Sequence, residues 1–205
     1  MRNIRNLMAG LGLALALLPS AGNAQDGATT VRIQSDEAAS EEKARKFFTD
    51  TEVIDQNGNK LRFYSDVLKN RVVLINFIFT NCPDYCPMVT QKLIQTRSQL
   101  VESVTDDIWI VSISVDPERD TPEAMKDFAK KHGVDESRWI FLTGQTQDLD
   151  FIVKRLGQYS KDVESHSTLM LGGNTNTRLW TRVMPMATPP DIARQMRELA
   201  EEGKG

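Results

Sequence analysis

Cysteine and histidine are nearly missing from this sequence, with two of each among 205 residues. A structural zinc site takes four protein ligands, and the chain offers no fourth cysteine or histidine suited to one. The scarcity of histidine also leaves Ser112 and Ser114, both within an apolar strand-like run, without partners for a nucleophilic triad. An excess of basic charge is missing too: 25 Lys and Arg stand against 28 Asp and Glu, a formal net charge of −3. An acidic chain without a basic patch is unsuited to nucleic acid or an anionic membrane surface. Internal repeats and an internal linker are absent, so the length favours one domain with a tail.

A long apolar run is the last absence. The longest, Leu7–Leu18, has about 12 residues, short of the roughly 20 that cross a bilayer as a helix. Arg2 and Arg5 precede it, and Gly22 and Ala24 follow at positions a signal peptidase reads. This is the pattern of a secretory signal peptide over residues 1–24, with an uncleaved membrane anchor as the weaker alternative. No cysteine lies at the cleavage region to carry a lipid. Export places the mature protein in the periplasm, an oxidising compartment where neighbouring thiols pair unless reduced or metallated. Loss of Arg2 and Arg5 moves the formal charge from −3 to −5.

What is present divides cleanly. Residues 25–48 are polar and read as a flexible lead-in with a helical turn in EEKARKFF. The domain is set at 49–203. Asn57-Gly58 between two short apolar segments predicts a β-hairpin. RVVLINFIF (71–79) is a continuous apolar run, hence a buried central strand, and Pro87 opens a predicted helix. IWIVSISV is a second buried strand. Thr121, Pro122 and Glu123 predict a capped helix that stops at Gly133. WIFLTG, DLDFIVKRLG, a hairpin from STLMLGG and RLWTRV, and a helix behind Pro189-Pro190 complete the chain. The order predicts an α/β fold with a mixed central sheet flanked by helices. Paired cysteines where a strand gives way to a helix, with a closing hairpin and helix, make it thioredoxin-like with an N-terminal β-hairpin extension.

Both cysteines lie in FTNCPDYCPM, Cys82 in the turn and Cys86 immediately before the predicted helix. Unpaired amides and the helix dipole favour a thiolate there. Three residues separate the cysteines, whereas a thioredoxin-type redox pair has two. A structural staple closing so small a ring stabilises by roughly 2 kcal/mol, which a core of this size does not need. His132 in KKHG reads as a cation complementing a helix C-terminus. His166, just before the first strand of the closing hairpin, sits at a junction that faces the cysteine turn in such a topology. Two sulfurs and one nitrogen suit Cu(I), and also Cu(II) with further ligands.

FTNCPDYCP together with SVDPERDTPEAMKDFAKKHG, WIFLTG and SHS resembles the Sco (SenC/PrrC) family, in order, over residues 50 to 200. The resemblance implies an exported or membrane-tethered thioredoxin-like protein that binds copper through Cys82, Cys86 and His166. It implies a copper chaperone that serves the CuA centre of cytochrome c oxidase subunit II or prepares its thiols. Ser165, preceded by Glu164, stands where the family often has an acid before the histidine, and GGNTNTRLWTRVMP replaces the usual hairpin turn. The alternative is a thiol–disulfide oxidoreductase, with Cys82 attacking a partner's disulfide, Cys86 resolving, and a thiol reductant as second partner. Met88, Met184 and Met186 are soft enough to assist copper, although methionines at such positions usually pack. Asp84 reads as an exposed turn acid. Asp116, Glu118, Arg119 and Asp120 read as turn and cap chemistry ahead of partner recognition.

Overall fold

The computed structural model describes residues 38–101 and 108–202. The expectations for residues 1–24 and 25–37 fall outside them. The domain is the unit Ser40–Gly205.

A helix over residues 38–48 (α1) leads into the hairpin β1 (Glu52–Asp55) and β2 (Lys60–Arg62). The hairpin turns where predicted. Gly58 takes a φ of 82°, open to glycine at little cost, and the Asp55 carboxylate accepts from the Asn57 and Asn59 amides. A π-helical turn, Phe63–Leu68, then drops four buried apolar or aromatic side chains onto the sheet. β3 (Val72–Ile78), α2 (Tyr85–Val101), β4 (Ile108–Ser114), α3 (Pro122–Lys131), β5 (Trp139–Thr143) and α4 (Thr146–Arg155) follow. β6 (Met170–Asn174), β7 (Leu179–Val183) and α5 (Pro189–Glu201) close the domain. Thr121 and Thr188 cap α3 and α5 through their hydroxyls, each with proline in the first turn.

The seven strands run in the order β2-β1-β5-β4-β3-β6-β7. β3, β4 and β5 are parallel, while β6 is antiparallel to β3 and β7 antiparallel to β6. This is the mixed thioredoxin-like sheet, and β1–β2 is its N-terminal extension, joined antiparallel to β5. β3 is buried along its whole length and alternates between two cores. Val72, Leu74 and Ile78 meet Leu93 of α2, Met125 of α3 and Met196 of α5 on one face. Val73, Ile75 and Phe77 meet Phe48, Val67, Leu149 and Ile152 on the other. A strand covered on both faces must be apolar throughout, which is why RVVLINFIF lacks an alternating pattern.

The helical turn expected in EEKARKFF is thus α1, and Phe48 is part of the core rather than of a flexible lead-in. Phe48 packs its ring against Trp180 and stacks over Tyr64, at centroid distances of 4.9 and 6.2 Å. Gly173 makes room on this face, because a Cβ there would lie 2.4 Å from the Trp180 ring. The polar composition of the lead-in hid this contact, since one aromatic residue anchors the helix.

Candidate metal centre

Three chain segments meet at one end of the sheet. β3 delivers the cysteine turn at its C-terminal end, and β4, parallel to it with Ile78 opposite Ser114, delivers the DPERD loop beside it. β6 runs the other way with Ile75 opposite Leu171, so the residues preceding β6 arrive at that end too. A ring contact agrees: His166 and Phe79 meet edge to face, 5.6 Å between centroids.

Helix α2 starts at Tyr85, two residues ahead of the predicted start at Pro87, so Cys86 lies inside the first turn. The Asp84 carbonyl accepts from the Met88 amide, and Asp84 itself is exposed, the expected role for a turn acid. The Cys86 amide donates to Cys82 Sγ at 3.2 Å. One orphan amide of the helix start is therefore capped by sulfur. Cys82 is partly exposed and Cys86 buried, and both are free thiols.

Burial pushes the Cys86 thiol up to about 12, the Phe79 backbone amide opposes this, and the adjacent Cys82 adds to it. The helix start therefore does not make Cys86 a thiolate in the metal-free protein. Desolvation is the largest cause, since Cys86 is 1% exposed among apolar side chains.

Asp120 has a role the sequence reading missed. Its carboxylate is fully buried and accepts from the Thr80 amide (2.9 Å), the Thr80 hydroxyl (2.6 Å) and the Ser114 hydroxyl (2.6 Å). It ties the DPERD loop to the cysteine turn. Burial raises the Asp120 carboxyl above its ordinary value, with the Ser114 and Thr80 hydrogen bonds opposing. The rest of the loop shows the expected turn chemistry: Arg119 pairs with Asp116 at 2.5 Å, and Glu118 is exposed. Ser112 accepts from the Trp139 indole and donates to Asn76, so it serves the core. His132 caps α3 against Phe128, with burial lowering its pKa.

His166 is 8% exposed. Its Nδ1 lies 2.7 Å from the Val163 carbonyl. A carbonyl only accepts, so Nδ1 carries the hydrogen and the neutral ring keeps its lone pair on Nε2. Nε2 is buried and has no hydrogen-bond partner. An orphaned imidazole nitrogen and a dithiol at the same end of the sheet are donor types that fit a soft metal. Among the described residues, no three His, Cys, Asp or Glu side chains are placed to hold a metal ion. The expected imidazole reaches the cysteine end of the sheet, where its ring meets Phe79, three residues before Cys82. Two cavities, of about 430 and 370 Å³, lie elsewhere, around Phe47, Phe48 and Trp180, and no cysteine or histidine lines them.

The SCO1/SenC family model matches residues 39–201, which takes in every element of this site. The chain belongs to the SCO1/SenC family. An SCO1 protein homolog of Bacillus subtilis is 39% identical over 93 residues, 45% of this chain and 47% of that protein. The chain spans about half the length of the curated relatives it matches. Among solved structures, copper-bound ScoI of Bradyrhizobium japonicum aligns with a TM-score of 0.61 at 25% identity, over 73% of this chain and 96% of that one. BsSco, described as carrying a disulfide switch and as one of the cytochrome c oxidase assembly proteins, aligns at 0.62 and 27%, over 74% and 91%. This Sco chain thus shares its thioredoxin-like sheet with copper-bound relatives, and its cysteine turn and His166 segment lie inside the matched region.

Proposed function

We propose that this Sco protein binds copper through Cys82, Cys86 and His166 and passes it to a receiving protein in the periplasm. The observation that carries this reading is His166 Nε2, a buried lone pair without a partner, held in that tautomer by Val163 on a ring that meets Phe79 at the cysteine end of the sheet. A buried polar atom without a partner costs free energy that a purely structural histidine would avoid. Copper is cargo here. Binding draws the His166 segment, an irregular stretch containing only the short turn Val163–Ser165, onto the sulfurs. Each cysteine gives up its proton as its sulfur meets the metal. A site that closes on its cargo also opens to release it. The receiving protein we infer is cytochrome c oxidase subunit II, at its CuA centre; in support, BsSco belongs to the cytochrome c oxidase assembly proteins.

A second reading has its own support. Cys82 is accessible, Cys86 is buried behind it, and the two lie close enough for a hydrogen bond. That is the arrangement of an attacking and a resolving thiol. Cys82 would open a partner's disulfide, and Cys86 would then displace the partner from Cys82, leaving both partner thiols reduced and Cys82–Cys86 oxidised. The oxidised pair cannot hold copper as thiolates, so one site alternates between the two tasks.

The test is anaerobic competition for Cu(I) against a chelator, on reduced protein recovered from the periplasm with Gln25 as its first residue. One tightly held Cu(I) is expected per chain, weakened at least about tenfold by His166→Ala, with the tight binding lost in the Cys82→Ser, Cys86→Ser double variant. Unchanged affinity in His166→Ala removes the histidine from the site. A wild-type chain that binds no more copper than the double variant leaves dithiol exchange as the function.

A further inference from the structure

Six methionines fall among the described residues, and they separate into two groups. Met125, Met170 and Met196 are buried at 0 to 2% exposure, whereas Met88, Met184 and Met186 are exposed by 55, 60 and 88%. Met is usually a buried residue, so three exposed on one molecule call for a reason.

All three belong to the same end of the fold. Met88 is two residues beyond Cys86 on α2. β7 is antiparallel to β6 and therefore parallel to β3, and Val183, its last residue, pairs with Met170, the first of β6. Met184–Met186 thus leaves the sheet where His166 enters it and where β3 hands over to the cysteines. The Ala187 amide donates to the Met184 carbonyl at 2.9 Å, closing a β-turn with Pro185 at its second position. Lys92, one helical turn beyond Met88 on the same face of α2, donates its ammonium to the Pro185 carbonyl at 2.6 Å. The turn is pinned to the helix next to Met88 with both flanking thioethers in solvent.

We propose that Met88, Met184 and Met186 form a second, weaker Cu(I) site that receives copper before the cysteine pair takes it. This rests on the copper reading above and extends it to the path of entry. Thioethers are soft and neutral and select Cu(I) over harder cations. They bind it less strongly than thiolates, and the nearby Lys92 ammonium opposes a resident cation, so metal held here is easily passed on. In the transfer copper stays Cu(I): thioether–copper bonds break as thiolate–copper bonds form, and the thiol protons go to solvent.

The test uses reduced chain labelled with ¹³C at the methionine methyls and titrated anaerobically with Cu(I) from a chelate. In the Cys82→Ser, Cys86→Ser double variant the Met88, Met184 and Met186 methyls are expected to shift, while those of Met125, Met170 and Met196 stay. Replacing all three exposed methionines by leucine keeps the apolar surface and the fold but removes the sulfur. That variant is expected to load its cysteines about tenfold more slowly at unchanged final affinity, because copper is no longer concentrated beside them. Unmoved methyls, or wild-type loading in the leucine variant, overturn the methionine site. If wild-type cysteines take up no Cu(I) in the same titration, the copper reading itself fails, and the two failures are told apart.

Discussion

Cys86 shows how a single residue's environment sets its chemistry. The sequence places it at a helix start, where a thiolate is favoured. Its burial reverses that and pushes the thiol up to about 12. Cys86 therefore holds its proton across the neutral range and must release it to bind metal. Apparent Cu(I) affinity is expected to rise at least about tenfold per pH unit between pH 6 and 9, because that proton is released throughout the interval. Chelator competition at several pH values measures the slope, and a flat profile would show Cys86 already ionised or outside the site. The same shift has a sign for stability. A folded value above the ordinary 9.0 contributes stability below pH 9 that is lost as the pH climbs toward 12.

The elements at the site are held by a contact far apart in the sequence. Asp120 follows β4 and Thr80 follows β3, and three hydrogen bonds on one buried carboxylate fix the two loops together. Asp120→Ala would leave a buried amide and two hydroxyls without their acceptor. A loss of about 2–4 kcal/mol is expected in denaturant unfolding. Asp120→Asn keeps one oxygen for Thr80 and turns its amide toward the Ser114 hydroxyl, so it should cost about 1 kcal/mol or less. Equal losses in the two variants would mean that the carboxylate charge, and not its hydrogen bonds, joins the loops. The local signals in DPERDTP covered only half of this: Thr121 and Pro122 announce a helix cap, but nothing nearby in the sequence says that Asp120 points back across the sheet.

At the scale of the molecule, α1 belongs to the domain. Phe48 is buried against Trp180 and Tyr64 at the β7 side of the sheet, while Phe47 beside it is half exposed. Phe48→Ala, or a chain shortened to begin at Thr49, is expected to lose about 2–4 kcal/mol in denaturant unfolding. Phe47→Ala serves as the comparison and should lose less than about 1 kcal/mol. Wild-type stability in the shortened chain would return α1 to the lead-in. Copper binding should survive the shortening, because the cysteine turn and His166 are carried by β3 and β6 and not by α1.

Much of this protein was legible without coordinates because the deciding interactions are short-ranged. The unbroken apolar run of β3, the Asn57-Gly58 turn, the Thr121 cap and the placement of both cysteines after β3 depend on residues within a few positions of one another. These sufficed for the order of elements, the fold class and the dithiol. The tertiary structure alone decided the rest. Strand order and antiparallel register bring His166 to the cysteine end, and one more hydrogen bond, from Nδ1 to Val163, settles which nitrogen is left open. Burial, which no local pattern reports, reversed the expected ionisation of Cys86 and drew Phe48 into the core. The pairing of β6 with β7 gathered the three exposed methionines around the same end. Pattern along the chain specifies elements, but the distance between chemistry-bearing groups is a property of how those elements pack.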